Sequence, residues 1–142
     1  MELFGSGRLI RQYGALPYRL DGEAGLQILL VTSRDTGRWV VPKGNPMPFR
    51  EGHETAAEEA YEEAGAKGAI AAEPIGSFRY RKRRRLLHAV NAEVRVFPLR
   101  VEQLLDQWPE SHQRRRSWFN REDAAAAVAE RGLRQLILDF EP

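Results

Sequence analysis

The chain contains no cysteine in its 142 residues. That excludes a disulfide framework, a thiolate zinc site and a cysteine nucleophile, and leaves carboxylates, histidines or backbone carbonyls as the only protein groups to hold a metal. No run of apolar residues approaches the roughly 20 needed to cross a bilayer. The N-terminal MELFGSGRLIRQYG also lacks the apolar stretch of a secretory signal, so the expectation is a cytoplasmic protein with no membrane partner. Internal repeats, a low-complexity tail and a linker long enough to separate domains are absent as well. What is there suits one globular domain over residues 1–142, with 42% hydrophobic residues to build a core. Lysine is scarce and arginine plentiful. The formal net charge is only +2, but the pI of 9.2 reflects arginines that cluster at Arg79–Arg85 and Arg114–Arg116, a pattern that calls for an anionic partner.

Strand signals open the chain: Tyr13–Leu20, a DGEAG turn, and Leu26–Thr32 rich in Ile, Leu and Val, together a hairpin. Trp39–Val41 is a short apolar run, and Pro42–Pro48 is expected to be loop because three prolines and Gly44 interrupt any ladder. The Ala/Glu run His53–Ala64 predicts a helix closed by Gly65. Ile75–Arg81 and Leu86–Leu99 read as a second hairpin with an arginine-rich tip. Asn120 then caps a helix over Arg121–Arg131, and Leu133–Phe140 is its continuation or a second short helix.

Residues three and four apart on a helix are neighbours, so Glu59, Glu62 and Glu63 share one face while Ala56, Ala60 and Ala64 line another that can pack closely on a sheet. Adjacent carboxylates repel one another unless a cation or arginines neutralise them, and Mg²⁺ or Mn²⁺ is the natural choice for oxygen ligands. Such an ion shields a pyrophosphate linkage and polarises water, and a neighbouring carboxylate takes the proton. A solvated acidic face is the plain alternative. The glycine-bearing loop before the helix, which could bring the Gly44 carbonyl to the same ion, and the nearby cations favour the metal site. Within FRYRKRRR, Arg79, Arg81, Lys82 and Arg83 stand at a hairpin tip suited to gripping phosphates; a solvated tip or a nonspecific nucleic-acid patch are the competing readings. His53, His88 and His112 share no spacing, and Trp39, Trp118 and Phe119 read as packing residues. Glu93 could approach the ion from a strand, although a solvent-facing role suits it better.

Gly44, Glu59, Glu62, Glu63 and Gly65 together resemble the Nudix hydrolase signature: glycine, five residues, glutamate, seven residues, Arg-Glu, an aliphatic residue, any residue, Glu-Glu, any residue, glycine and an aliphatic residue. Ala60 and Ala66 stand at the aliphatic positions. Two places depart from it: Arg50 holds that of the first glutamate, with Glu51 one place off register, and Glu58 holds that of the arginine, which in the family helps to orient the following glutamate. Ser33–Gly44 and Arg114–Ala124 resemble segments of the branch that hydrolyses diphosphoinositol and diadenosine polyphosphates. The resemblance implies an α/β (α+β) fold, an alpha/beta/alpha sandwich with a mixed central sheet and helices on both faces. It also implies Mg²⁺ dependence, metal ligation by Glu59, Glu62, Glu63 and the Gly44 carbonyl, and Glu59 or Glu62 as the base. Arg38, Lys43 and Arg116 align near the phosphate site of that branch, with Arg11 and Arg19 as further guesses. The expected substrate is a small anionic polyphosphate, diadenosine polyphosphate first, with inositol pyrophosphates, ADP-ribose-like compounds and capped or triphosphorylated RNA ends behind it. The alternative is a catalytically weak polyphosphate- or RNA-binding module.

Overall fold

A computed structural model describes residues 9–84 and 87–142. The readings placed on residues 1–8, on Arg85 and on Leu86 therefore lie outside the described residues, and the side chain of His88 is likewise not described.

The centre of the sheet is a long parallel pair, β1 (Leu9–Asp21) beside β7 (Leu87–Leu104), in register from Leu9 opposite Asn91 to Tyr18 opposite Arg100. Two elements lie on the far side of β1. β2 (Gly25–Thr32) pairs antiparallel with its second half, and β4 (Lys43–Gly44) with Tyr13 and Gly14. β3 (Trp39–Val40) and β8 (Arg116–Asn120) both pair with β2. On the other side of β7, β6 (Gly76–Arg84) pairs with its first half and β5 (Ala66–Ile70) with its second. The sheet is mixed, as expected.

Alternation along β1 and β7 feeds two cores. Leu16, Ile28, Val94 and Val96 face α2 (Arg121–Ala127) and α3 (Arg131–Asp139), which contribute Ala124, Leu133 and Ile137. Ala15, Leu29, Phe97 and Leu99 face α1 (Gly52–Ala64), whose Ala56, Ala60 and Ala64 are fully buried. The small alanines let the α1 backbone lie close to the sheet, so its glutamates emerge beside β4 and not above it. Helices on both faces complete the sandwich.

Several local expectations change. Lys43 and Gly44 form a short strand, because their backbone groups find partners in β1 despite the prolines around them. β5 and β8 were not foreseen. The helix expected over Arg121–Arg131 stops at Ala127: Val128 is buried and extended (φ −87°, ψ 150°), bridging to Trp39, and a new helix starts at Arg131. Asn120 does cap α2, its side chain accepting from the Asp123 N–H at 2.7 Å. Gly65 adopts φ 65°, the left-handed cap a glycine permits, and its N–H returns to the Tyr61 carbonyl. No helix among the described residues is long and apolar enough to cross a membrane.

Candidate active site

The helix α1 presents its carboxylates to β4. A β-carbon built on Gly44 would fall inside the Glu59 carboxylate, so the glycine is what lets that side chain lie against the β4 backbone. One turn on, Glu63 accepts from the Lys43 backbone N–H at 3.4 Å and meets Arg114 Nη2 at 3.5 Å. Glu63 and Arg114 are buried, with side-chain exposures of 9% and 8%. The rest of the Arg114 fork is also engaged, Nε with Glu110 Oε1 at 2.6 Å and Nη1 with the Thr32 carbonyl at 3.0 Å.

Glu59 and Glu63 share a side-chain hydrogen bond. Burial, then the charge of Glu63, pushes the Glu59 carboxyl up to about 8, so the pair retains a proton between its oxygens at neutral pH. Burial also raises Glu63, against the pull of Arg114 and Lys43. Glu62 is less enclosed than the other two, and burial and then the neighbouring Glu58 carboxyl raise it as well. The three carboxylates expected to converge therefore divide into a close pair, Glu59 and Glu63, and an outer member. No three His, Cys, Asp or Glu side chains stand preassembled as a metal cage among the described residues. Two carboxylates set against the β4 backbone offer only oxygen donors, which fits a hard divalent ion such as Mg²⁺.

Glu63 of this pair also lines a polar cleft. It is lined by Lys43, Glu63 and Arg114 at its head, by Arg34 and Arg38 from the turn between β2 and β3, and by Arg81, Lys82 and Arg83 from the β6 tip. Burial lowers the Lys43 ammonium from its usual range, with Glu63 and Glu130 opposing. The ammonium lies 5.0 Å from the centre of the Tyr80 ring. Tyr80, pushed up to about 12 by burial, keeps its proton and donates to Gln12 Oε1 at 2.7 Å; Gln12 in turn donates to Asn45 Oδ1 at 3.1 Å. This relay ties the loop after Gly44 to β1 and β6.

Arg38, Lys43, Arg81, Lys82 and Arg83 therefore line the cleft as the sequence suggested, but Arg79 and Arg116 do not. Arg79 pairs with Glu93 at 3.8 Å on the exposed face of β6. Arg116 stacks 3.9 Å over Trp108 and donates to the Ala64 carbonyl at 2.8 Å, capping α1. Arg114 takes the position expected of Arg116, because β8 pairing fixes Arg116 opposite Val31. Glu93 is engaged by Arg11 at 3.3 Å as well as by Arg79, and Arg19 stacks 4.1 Å over Trp118. Sequence reasoning missed Gln12, Tyr80, Glu110, Arg114 and Glu130. Arg114 alone carried a signal, as a member of a basic triplet.

A family model described as the NUDIX domain matches residues 10–140. The chain belongs to the Nudix family. Among curated relatives, this Nudix chain is 30% identical over 130 residues to Nudix hydrolase 21, chloroplastic, of Arabidopsis thaliana, covering 89% of this chain and 64% of that protein. It is 39% identical over 101 residues to mouse diphosphoinositol polyphosphate phosphohydrolase 3-alpha, covering 69% and 57% respectively. The Nudix chain thus spans less than two thirds of the length of either relative. Of solved structures, a C. elegans Ap4A hydrolase superposes with a TM-score of 0.64 at 19% identity, over 92% of this chain and 94% of that one. The E. coli dihydroneopterin triphosphate pyrophosphohydrolase gives 0.69 at 15% identity, over 94% and 97%. These likenesses confirm the Nudix fold.

Proposed function

We propose that this Nudix chain is a Mg²⁺-dependent pyrophosphohydrolase that cleaves a phosphoanhydride bond by water attack in an inositol- or nucleoside-linked polyphosphate. The observation that carries this reading is the Glu59–Glu63 pair, with Glu59 against the Gly44 backbone and Glu63 in the lining of a polar cleft that also carries Arg38, Lys43, Arg81, Lys82 and Arg83. Glu59, Glu63 and the Gly44 carbonyl would hold Mg²⁺, with Glu62 as the outer member of the set. The ion would supply charge neutralisation and activation of water. Lys43 would hold the phosphate oxygens at the scissile bond, with Arg114 fixing Glu63 behind it, while Arg38, Arg81, Lys82 and Arg83 bind the remaining phosphates and steer the polyanion inward. Proton removal from the attacking water falls to Glu59 or Glu62.

The cleft lining favours the phosphate-rich substrates. Among the described residues that line it, the one ring is Tyr80, which is covered by Lys43. All three tryptophans are engaged, Trp39 edge-on with Phe119, Trp108 beneath Arg116 and Trp118 beneath Arg19. A diphosphoinositol polyphosphate, recognised through charge, therefore moves ahead of the diadenosine polyphosphate favoured by the sequence; the name of the mouse relative supports the same choice.

The test is a panel of diphosphoinositol polyphosphate, diadenosine polyphosphate, ADP-ribose and triphosphorylated RNA, with and without Mg²⁺. Phosphate release from the inositol compound, only with the ion, is expected. If no compound is turned over the reading fails, and binding that persists without turnover and weakens steeply with salt supports a polyphosphate- or RNA-binding module.

A further inference from the structure

We propose that Tyr80 and Gln12 form a positioning relay for β4, in which the Tyr80 hydroxyl fixes Asn45 through Gln12 while the Tyr80 ring holds the Lys43 ammonium. The inference rests on reading Glu59, Glu63 and β4 as the hydrolytic centre. β4 is two residues long, Lys43 and Gly44, and it meets both members of the carboxylate pair: the Lys43 N–H donates to Glu63 Oε1 at 3.4 Å, and the Gly44 backbone lies against Glu59. Its strand partner among the described residues is β1, through Tyr13 and Gly14. Pro42 and Pro46, which carry no N–H, bracket the segment. So short a ladder leaves the placing of Gly44 to side chains.

Those side chains meet at Tyr80. Gln12 stands on the same face of β1 as the core residue Leu16, and it is 3% exposed. A buried amide is costly there unless both of its ends find partners. Both do: Oε1 accepts from the Tyr80 hydroxyl at 2.7 Å, and Nε2 donates to Asn45 Oδ1 at 3.1 Å. These two bonds join β6 to β1, and β1 to the residue after Gly44. On the other side of Gly44, Lys43 Nζ lies 5.0 Å from the centre of the Tyr80 ring. Tyr80 is itself anchored, opposite Ala92 of β7 and packed on the core that includes Val94 and Leu16. Both neighbours of the glycine are thus tied to one tyrosine, which holds the β4 backbone beside the carboxylate pair.

Two measurements test this: amide hydrogen exchange at Lys43, Gly44 and Asn45 in the metal-free protein, and steady-state turnover of the phosphoanhydride that wild type hydrolyses best. Tyr80→Phe keeps the ring beneath Lys43 and removes the hydroxyl. It should speed exchange at these amides by roughly fivefold, the scale of one lost hydrogen bond, and leave the β7 amides unaffected. It should also lower kcat roughly tenfold with KM unchanged, the scale of a slightly misplaced reacting group. Asn45→Ala should do the same, and the double variant should be no worse than either single one, because both break one chain of bonds. Tyr80→Leu, which also removes the ring, should in addition raise KM several-fold by loosening Lys43. The proposal is overturned if Tyr80→Phe matches wild type in exchange and kcat, raises KM with kcat unchanged, or quickens exchange throughout the sheet. Single effects that multiply in the double variant overturn it as well. If wild-type protein hydrolyses no phosphoanhydride, the functional reading fails by itself and the exchange pattern still decides the relay.

Discussion

Gly44 leaves no room for a side chain beside Glu59, and a single methyl group probes that fit. Gly44→Ala would drive the Glu59 carboxylate away from β4. Turnover should fall by about 100-fold, the scale of a roughly 1 Å displacement of a catalytic group, while circular dichroism shows an intact fold. The same carboxylate makes the metal-free protein sensitive to pH. The Glu59 carboxyl titrates at about 8 in the folded chain against an ordinary 4.5, so between these values the folded state keeps a proton that the unfolded state has lost. Stability of the metal-free protein should therefore decline as pH rises through that window. Glu59→Gln should flatten the decline in urea titrations, and Mg²⁺ should offset it. Calorimetry at neutral pH, in buffers of different ionisation enthalpy, should show about one proton released per ion bound. That Glu59 and Glu63 share a face was legible in the sequence because helix spacing is local, and Gly44 stood out as the glycine of the loop before that helix. Arg114 was not legible, since its choice over Arg116 depends on pairing between β8 and β2.

At the scale of elements, the site depends on how α1 is held at both ends. Glu54 accepts from the Glu51 N–H at 2.7 Å at the first turn. At the last turn the segment after β7 and the first residue of β8 take up the exposed carbonyls: Trp108 Nε1 donates to Glu63 at 3.0 Å, Arg116 to Ala64, and the Leu105 N–H to Gly65 at 2.9 Å. Trp108→Phe keeps the ring beneath Arg116 but removes one donor. It should cost about 1 kcal/mol in chemical denaturation and loosen Mg²⁺ binding, because the freed carbonyl belongs to Glu63 itself. α1 and its glycine cap were legible from composition. β5 and β8 were hidden because AKGAI and RSWFN are short, carry charges and lack sustained apolar alternation; what makes them strands is pairing with distant partners. The break at Val128 was hidden for a similar reason, since burial against Trp39 overrides a run of good helix formers.

At the scale of the whole molecule, the fold gathers cations from three separate stretches onto one side of the carboxylate pair: the turn after β2, the tip of β6, and the approach to β8. The sequence showed the clusters and left open which arginines faced a ligand. Sheet pairing made that selection, sending Arg79 to Glu93 and Arg116 to the end of α1. Arg50 and Glu58, which weakened the signature match when read along the chain, pair at 3.6 Å once the loop folds onto the helix. The account as a whole stands on Glu63, the residue where β4, Arg114 and Glu59 meet. Mg²⁺-dependent phosphate release from diphosphoinositol polyphosphate should be measured for wild type and Glu63→Gln, after matching thermal midpoints establish that both are folded. The account predicts robust turnover by wild type and a loss of at least 100-fold in the variant, the scale of removing a group that acts in the transition state. Equal turnover by the two proteins would contradict it.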